Sequence, residues 1–298
     1  MPLLATRSWG TREPGSQGTR EPGSRGTRSW GTPEPGTRLP GPPNREGSPT
    51  GTEGGGVVHR PLALLIHGVT SSSRTWWRVG PALVERGYRV LAVDLRGHGS
   101  SPRVGTGLSA ADLAADVAET VEGPVELLVG HSLGALVALE LVGARPGSAR
   151  RLVVEDPPGP ASVDWAALAP GIELDTGRAV TDPAALRRDL ELANPAWAPG
   201  EAERRVADLA DCDGRAVVAA LRPGVPFDLP AMLAAVPVPT LLLLGEEALG
   251  SILTGSDRKA AIEALPDGTT QILPAGHSLH REALDAWLAA VDAWLAAS

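Results

Sequence analysis

The chain has 298 residues, 27 Lys and Arg against 35 Asp and Glu, and a formal net charge of −8; this length allows one large α/β domain with or without an insertion, and the acidic balance speaks against nucleic acid as a partner. A single cysteine, Cys212, excludes an intrachain disulfide and a cysteine-based metal cluster, and fits a reducing, cytoplasmic compartment. No apolar run approaches the ~20 residues of a membrane span, and Met1 to Gly10 lacks the apolar core of a secretory signal.

Residues 1–56 are low in complexity. Gly10-Thr11-Arg12-Glu13-Pro14-Gly15-Ser16 recurs from Gly18 to Ser24, and Thr6-Arg7-Ser8-Trp9-Gly10 returns from Thr27 to Gly31. The repeat is too short for a solenoid unit and has no apolar face. Its Gly and Pro content predicts a disordered tail. The remaining 57–298 read as one domain, in which apolar strands alternate with helical stretches. Leu62 to Ile66 reads as a strand that runs into His67-Gly68-Val69-Thr70. Trp76 to Arg86 reads as helix, and Arg89 to Val93 as a strand ending in Asp94-Leu95-Arg96-Gly97-His98-Gly99. A helix over Ser109 to Glu122 leads to the strand Val125 to Val129.

That strand meets Gly130-His131-Ser132-Leu133-Gly134, and a helix over Leu133 to Ala144 follows. Strand, sharp turn and helix form the context of a G-x-S-x-G nucleophile elbow. The flanking glycines carry no Cβ, so strand and helix can approach closely around Ser132. The turn exposes the Ser132 hydroxyl at the carboxyl edge of a sheet. It also sets the Leu133 amide at a helix N-terminus, where it can donate to a developing oxyanion.

Leu152 to Val154 reads as the next strand, ending in Glu155-Asp156-Pro157-Pro158. From about 157 to 237 no strand is predicted; helical segments such as Asp182 to Leu192 and Ala202 to Leu221 suggest a helical cap over the active edge. Strands over Thr240 to Leu244 and Thr270 to Leu273 enclose a helix from Asp257 to Leu265. The second of them leads to Gly276-His277-Ser278-Leu279. Leu284, Trp287, Leu288, Val291, Trp294 and Leu295 then form the apolar stripe of a last helix. The alternation predicts an α/β fold with a doubly wound, mostly parallel sheet and its site at the carboxyl ends of the strands.

In order and flanking context, these motifs over residues 61–298 resemble the α/β-hydrolase superfamily, in particular its capped serine hydrolases. The resemblance implies Ser132 as nucleophile and His277 as the base that takes its proton, a task suited to imidazole because its pKa lies near neutrality. It implies the Val69 amide as the oxyanion partner of Leu133. His67, Gly68, Trp76 and Trp77 are candidates for the substrate pocket; His67 alternatively shapes its loop, and the two tryptophans alternatively anchor the next helix.

The triad acid departs from the family pattern. The usual aspartate position, three residues after Gly245, holds Ala248. Glu246 ranks first as a substitute, Asp156 second and Glu247 third. Asp94 precedes the nucleophile and reads as structural. His98 and His131 match non-catalytic family positions, His280 reads as solvated, and His59 lies in the tail. The histidines are dispersed, so no metal is expected, and no cofactor is implied. The antiparallel strand pair that usually opens the family's sheet is missing, which predicts six strands and an open edge.

The resemblance implies hydrolysis of an ester, thioester or lactone of a small apolar substrate through an acyl-enzyme. Carbon–carbon bond hydrolysis, cofactor-free haloperoxidase chemistry and a non-catalytic ligand-binding role remain alternatives. Epoxide and haloalkane hydrolysis require Asp where Ser132 stands.

Overall fold

Strands that are apolar at nearly every position need cover on both faces, and the central strands here have it. The computed structural model describes residues 3–10, 60–103, 109–221, 227–265 and 269–298. Seven strands form one sheet: β1 (Thr6–Trp9), β2 (Leu62–Ile66), β3 (Arg89–Val93), β4 (Leu127–His131), β5 (Leu152–Glu155), β6 (Thr240–Gly245) and β7 (Thr269–Leu273). Their order is β1-β3-β2-β4-β5-β6-β7. Strands β2 to β7 pair in parallel, and β1 runs antiparallel to β3. The order reverses direction at β2 and β4, so the loops leaving these two strands flank the crevice where doubly wound sheets place ligands.

Alternate residues of each strand feed two cores. Leu64, Ile66, Leu128, Val154, Leu242 and Leu244 join Leu113 and Val117 of α2 (Ala110–Thr120) and Leu136 of α3 (Leu133–Ala144). Ala63, Leu65, Leu127, Val129, Val153 and Leu243 join Leu83 of α1 (Val79–Glu85) and, near the C-terminus, Trp287 and Val291. Each such Leu, Val or Ile contributes about 1.5–3 kcal/mol when fully buried.

Strand β1 corrects two expectations. Part of the low-complexity segment 1–56 is a strand, and the sheet has seven strands with the β3 edge paired. The register runs from Thr6 opposite Val93 to Trp9 opposite Val90. Leu4 is buried, the Leu4 amide donates to Thr120 Oγ1 at 3.1 Å, and the Asp94 amide donates to the Ala5 carbonyl at 2.9 Å. The Trp9 ring lies over Gly80, where a Cβ would come within 2.6 Å of it. One indole and one leucine thus dock a strand that composition conceals. Residues 11–59, including the second copy of the pentapeptide at Thr27–Gly31, lie outside the described residues.

Between β5 and β6 the described residues form α4 (Trp165–Thr181), α5 (Pro183–Ala193), α6 (Glu201–Ala210), α7 (Gly214–Leu221) and α8 (Leu229–Ala234). Aspartates start three of them: Asp164, Asp182 and Asp228 each accept a hydrogen bond from an amide of the first turn, with Pro183 and Pro230 in the first turns of α5 and α8. Ala179, Leu186, Val206 and Leu209 give this insertion a small core of its own. Helices α9 (Gly255–Ala264), α10 (Leu279–Glu282) and α11 (Leu284–Ala297) complete the described fold. Among the described residues no helix is long and apolar enough to cross a membrane.

Candidate active site

Strand β4 delivers Ser132 on a backbone at φ 55°, ψ −121°, and α3 begins at the next residue. This conformation costs a non-glycine residue of order 1–3 kcal/mol and persists because its surroundings fix it. The Ser132 amide donates to the Glu155 carbonyl at 2.9 Å, and the Ser132 carbonyl accepts from the Ala135 amide at 2.9 Å. The glycines leave no alternative. A Cβ at Gly130 would lie 2.3 Å from the Gly134 carbonyl oxygen, and one at Gly134 would lie 2.4 Å from that of Ile66. Leu133 opens α3, so its N–H has no intrahelical acceptor and points with the positive end of the helix dipole.

His277 follows β7. Its Nδ1 lies 2.8 Å from Asp156 Oδ2, so the structure places Asp156, not Glu246, beside the imidazole. Asp156 follows β5 directly, is fully buried and adopts φ 39°, a region that aspartate tolerates better than most residues. Ser251 Oγ donates to its Oδ1 at 2.5 Å and the Ile252 amide to its Oδ2 at 3.0 Å. Glu246 and Glu247 are exposed. After β6 the chain enters a 3-10 turn, Glu247–Leu249, closed by Gly250 at φ 102°, and this turn carries both glutamates outward. A carboxylate acceptor at Nδ1 keeps the imidazole proton there and leaves Nε2 free to take another.

The loop after β2 faces the elbow. A Cβ on Gly68 would come within 2.9 Å of both Ser132 Cβ and His131 Nδ1, so only glycine permits this approach. The Ser71 amide donates to the Gly68 carbonyl at 3.2 Å and closes a turn with Thr70 at φ 57°. A positive φ at the third residue, with none at Val69, is the geometry of a type II turn. It costs L-residues about 1–2 kcal/mol.

Two buried imidazoles brace the turn. His67 Nδ1–H donates to the Gly68 carbonyl at 2.7 Å while Nε2 accepts from the Leu95 amide at 2.9 Å. His98 Nε2 accepts from the Thr70 amide at 3.1 Å. Burial lowers the pKa of both rings, that of His98 to about 3, so both are neutral and able to accept. Asp94 has a structural place: Oδ1 accepts from the Ser73 amide at 2.6 Å and Oδ2 from the Ser100 amide at 2.9 Å.

A cavity of about 490 Å³ holds Val69, Ser132 and His277 in its lining. Val163, Trp165, Leu168 and Ile172 reach it from the insertion between β5 and β6, and Ile252 and Thr254 from the chain after β6. The four predicted pocket residues do not line it. His67 is buried inside its loop. Gly68 is backbone pressed against the elbow. Trp76 is fully buried, its ring 4.4 Å from that of His280. Trp77 Nε1 donates to Glu201 of α6 at 2.6 Å, beneath the Arg204 guanidinium. Both rings lie on a 3-10 turn, Ser73–Trp76, and its exit, and that turn directs them to the core and to α6. The residues between β5 and β6 that do line the cavity carry no motif; their only sequence signal is Asp164 before an apolar helical stretch.

His280 is buried rather than solvated. Glu155 Oε1 accepts from the His280 amide at 3.1 Å and from its Nδ1 at 2.7 Å, and Glu155 Oε2 accepts from Trp287 Nε1 at 3.0 Å. His280 Nε2 pairs with Thr75 Oγ1 at 2.7 Å, and His131 Nε2–H donates to the His277 carbonyl at 3.0 Å. Burial holds both imidazoles well below their usual pKa and raises that of Glu155. His131, Glu155 and His280 place possible metal-ligand atoms within 4.8 Å of one another. Their polar atoms are engaged in this hydrogen-bonded brace behind His277.

Residues 63–291 match the family described as the alpha/beta hydrolase family. A protein of Variovorax paradoxus named putative carbamate hydrolase RutD is 33% identical over 245 residues, 75% of this chain and 88% of its own length. Lipase LipV of Mycobacterium tuberculosis is 42% identical over 99 residues, 32% of this chain and 36% of its own. The solved structure of an N-formylmaleamic acid deformylase from Pseudomonas putida is similar with a TM-score of 0.65 at 26% identity, over 78% of this chain and 92% of that one.

Proposed function

Because the chain belongs to the alpha/beta hydrolase family, we propose that it is a serine hydrolase that cleaves an ester, thioester or lactone of an apolar substrate through an acyl-enzyme. The observation that carries this reading is the Asp156–His277 hydrogen bond of 2.8 Å at a cavity whose lining also includes Ser132 on its strained elbow.

Ser132 Oγ attacks the acyl carbon while His277 Nε2 takes its proton. The carbonyl oxygen becomes an oxyanion, held by the Val69 and Leu133 amides, each such donor being worth about 10²–10³ in rate. The intermediate collapses, and His277 returns the proton to the departing alcohol or thiol. Water then attacks the acyl-enzyme with His277 again as base. The acid leaves and Ser132 is restored.

The lining supports the choice of substrate. Val163, Trp165, Leu168, Ile172 and Ile252 offer an apolar wall, and Asp164 is engaged in capping α4. Such a wall favours an uncharged acyl group of moderate size. The similarity to a protein named as a carbamate hydrolase, over most of both chains, favours a carbamate as a second reading with the same attacking serine.

The test is mass-spectrometric mapping of a fluorophosphonate adduct. We expect a time-dependent adduct on Ser132 in folded protein and none in heat-denatured protein or in Ser132→Ala. Folded protein that stays unlabelled and turns over no p-nitrophenyl ester would refute the reading and favour a non-catalytic binding protein.

A further inference from the structure

The turn that presents Val69 is held from the cap. Every polar group of Thr70 is bound: its amide to His98, its Oγ1 to Arg205 NH2 at 2.8 Å, and its carbonyl to Arg205 NH1. Arg205 belongs to α6, and both of its hydrogen bonds end on this one residue. Among the described residues no carboxylate lies in ion-pair range of it. Burial and the neighbouring Arg281 cation lower its pKa to about 10. Partial burial of a cation without a carboxylate partner is unfavourable. What it gains here is a forked grip on a β-branched residue in left-handed geometry, a shape in which guanidinium outperforms ammonium.

Without that grip Thr70 is free to return to negative φ. The turn would then become type I, the Val69–Thr70 peptide would rotate, and the Thr70 amide would leave His98. Val69 lines the same cavity as Ser132, so its own amide would be displaced with the turn.

We propose that Arg205 is a positioning residue for the oxyanion loop: by binding the Thr70 carbonyl and hydroxyl it holds the Val69 amide toward Ser132, so that seating of α6 against this loop is a condition for turnover. The inference rests on the acyl-transfer reading of Ser132 given above. Arg205 lies outside the cavity lining, so its effect falls on the rate and not on substrate affinity.

The experiment compares wild type, Arg205→Met and Arg205→Met/Thr70→Gly on p-nitrophenyl butyrate, with fluorophosphonate labelling of each. Met matches the length of the stem and donates nothing. We expect kcat to fall about 10²-fold, as for a lost oxyanion donor, with KM within about threefold. Glycine adopts positive φ without strain, so the second substitution should recover at least about tenfold of the loss. A merely structural role for Arg205 predicts the opposite pattern: a raised KM or a lowered Tm, and no recovery from Thr70→Gly.

Should Arg205→Met fail to fold, Arg205→Lys serves in its place, since one ammonium cannot grip both Thr70 oxygens in the same fork; there a fall of about tenfold with recovery by glycine is expected. Labelled wild type with an unchanged rate in the Arg205 variant, or a loss that glycine does not recover, overturns this inference alone. Unlabelled wild type overturns the acyl-transfer reading and this inference with it.

Discussion

Replacing Asp156 with asparagine separates two ways in which a carboxylate can serve an imidazole. Oδ2 accepts both the Ile252 amide and His277 Nδ1–H, whereas Oδ1 meets only the Ser251 hydroxyl. The asparagine oxygen must therefore take the Oδ2 place. Its NH2 then faces Ser251, whose hydroxyl can rotate to accept. The tautomer of His277 survives, and only the negative charge is lost. In the proposed acyl transfer that charge would stabilise the imidazolium formed as Ser132 attacks. At about 4 Å between charge centres and an effective dielectric of about 20 the attraction is about 4 kcal/mol, which is about 10³-fold in rate. Asp156→Ala removes the acceptor as well, and about 10⁴-fold is expected. The assay is steady-state hydrolysis of p-nitrophenyl butyrate at pH 8, with Glu246→Gln as control. An Asp156→Asn enzyme within tenfold of wild type, or a large loss in Glu246→Gln, would refute the assignment of the acid.

Two further predictions concern stability. Trp9→Ala should cost about 2 kcal/mol, less than a fully buried Trp because the residue is partly exposed, and Gly80→Ala about 1–3 kcal/mol through collision with the ring, both read from urea midpoints. Acid should destabilise the fold as pH falls below 6.5 through its buried histidines, against which the raised folded pKa of Glu155 works in the opposite direction. His67, His98, His131 and His280 all have folded pKa values below the unfolded 6.5. As pH drops below 6.5 the unfolded chain binds protons that the native state refuses, so their stabilisation is full above that pH and is lost as pH falls toward the folded values. Each contributes up to about 1.4 kcal/mol per pH unit across that window. Urea midpoints that stay flat between pH 6.5 and 4.5 would contradict the buried, neutral assignment.

Much of this molecule is legible in its sequence, because short loops leave little freedom. Strands β2 and β3 run over Leu62–Ile66 and Arg89–Val93, the spans predicted, since Pro61, Gly87 and Asp94 bound them. The elbow is equally local: two glycines around Ser132 admit one close packing of strand, helix and neighbouring loop. What was illegible depends on the direction taken by a turn. Glu246 and Asp156 both follow strands whose ends face the site, and a single 3-10 turn removes one of them. Trp76 and Trp77 are adjacent in sequence, yet one enters the core and the other bonds to α6. His280 sits in a helix of only four residues, too short for periodicity to tell its buried side. β1 was hidden for a different reason: its partner β3 lies far along the chain, and repeats surround it.

That first strand bears on how the protein can be trimmed. Composition alone recommends discarding residues 1–56, and the cut would remove the Thr6–Trp9 partner of β3. Val90 to Val93 would then present unpaired backbone groups along an exposed margin, a template on which a second molecule can add its own strand. The shortened protein should associate as its concentration rises, and substrate turnover per molecule would decline in step with light scattering rather than with any change at Ser132. An unpromising stretch of Gly, Pro and Arg thus contains the strand that covers the β3 margin.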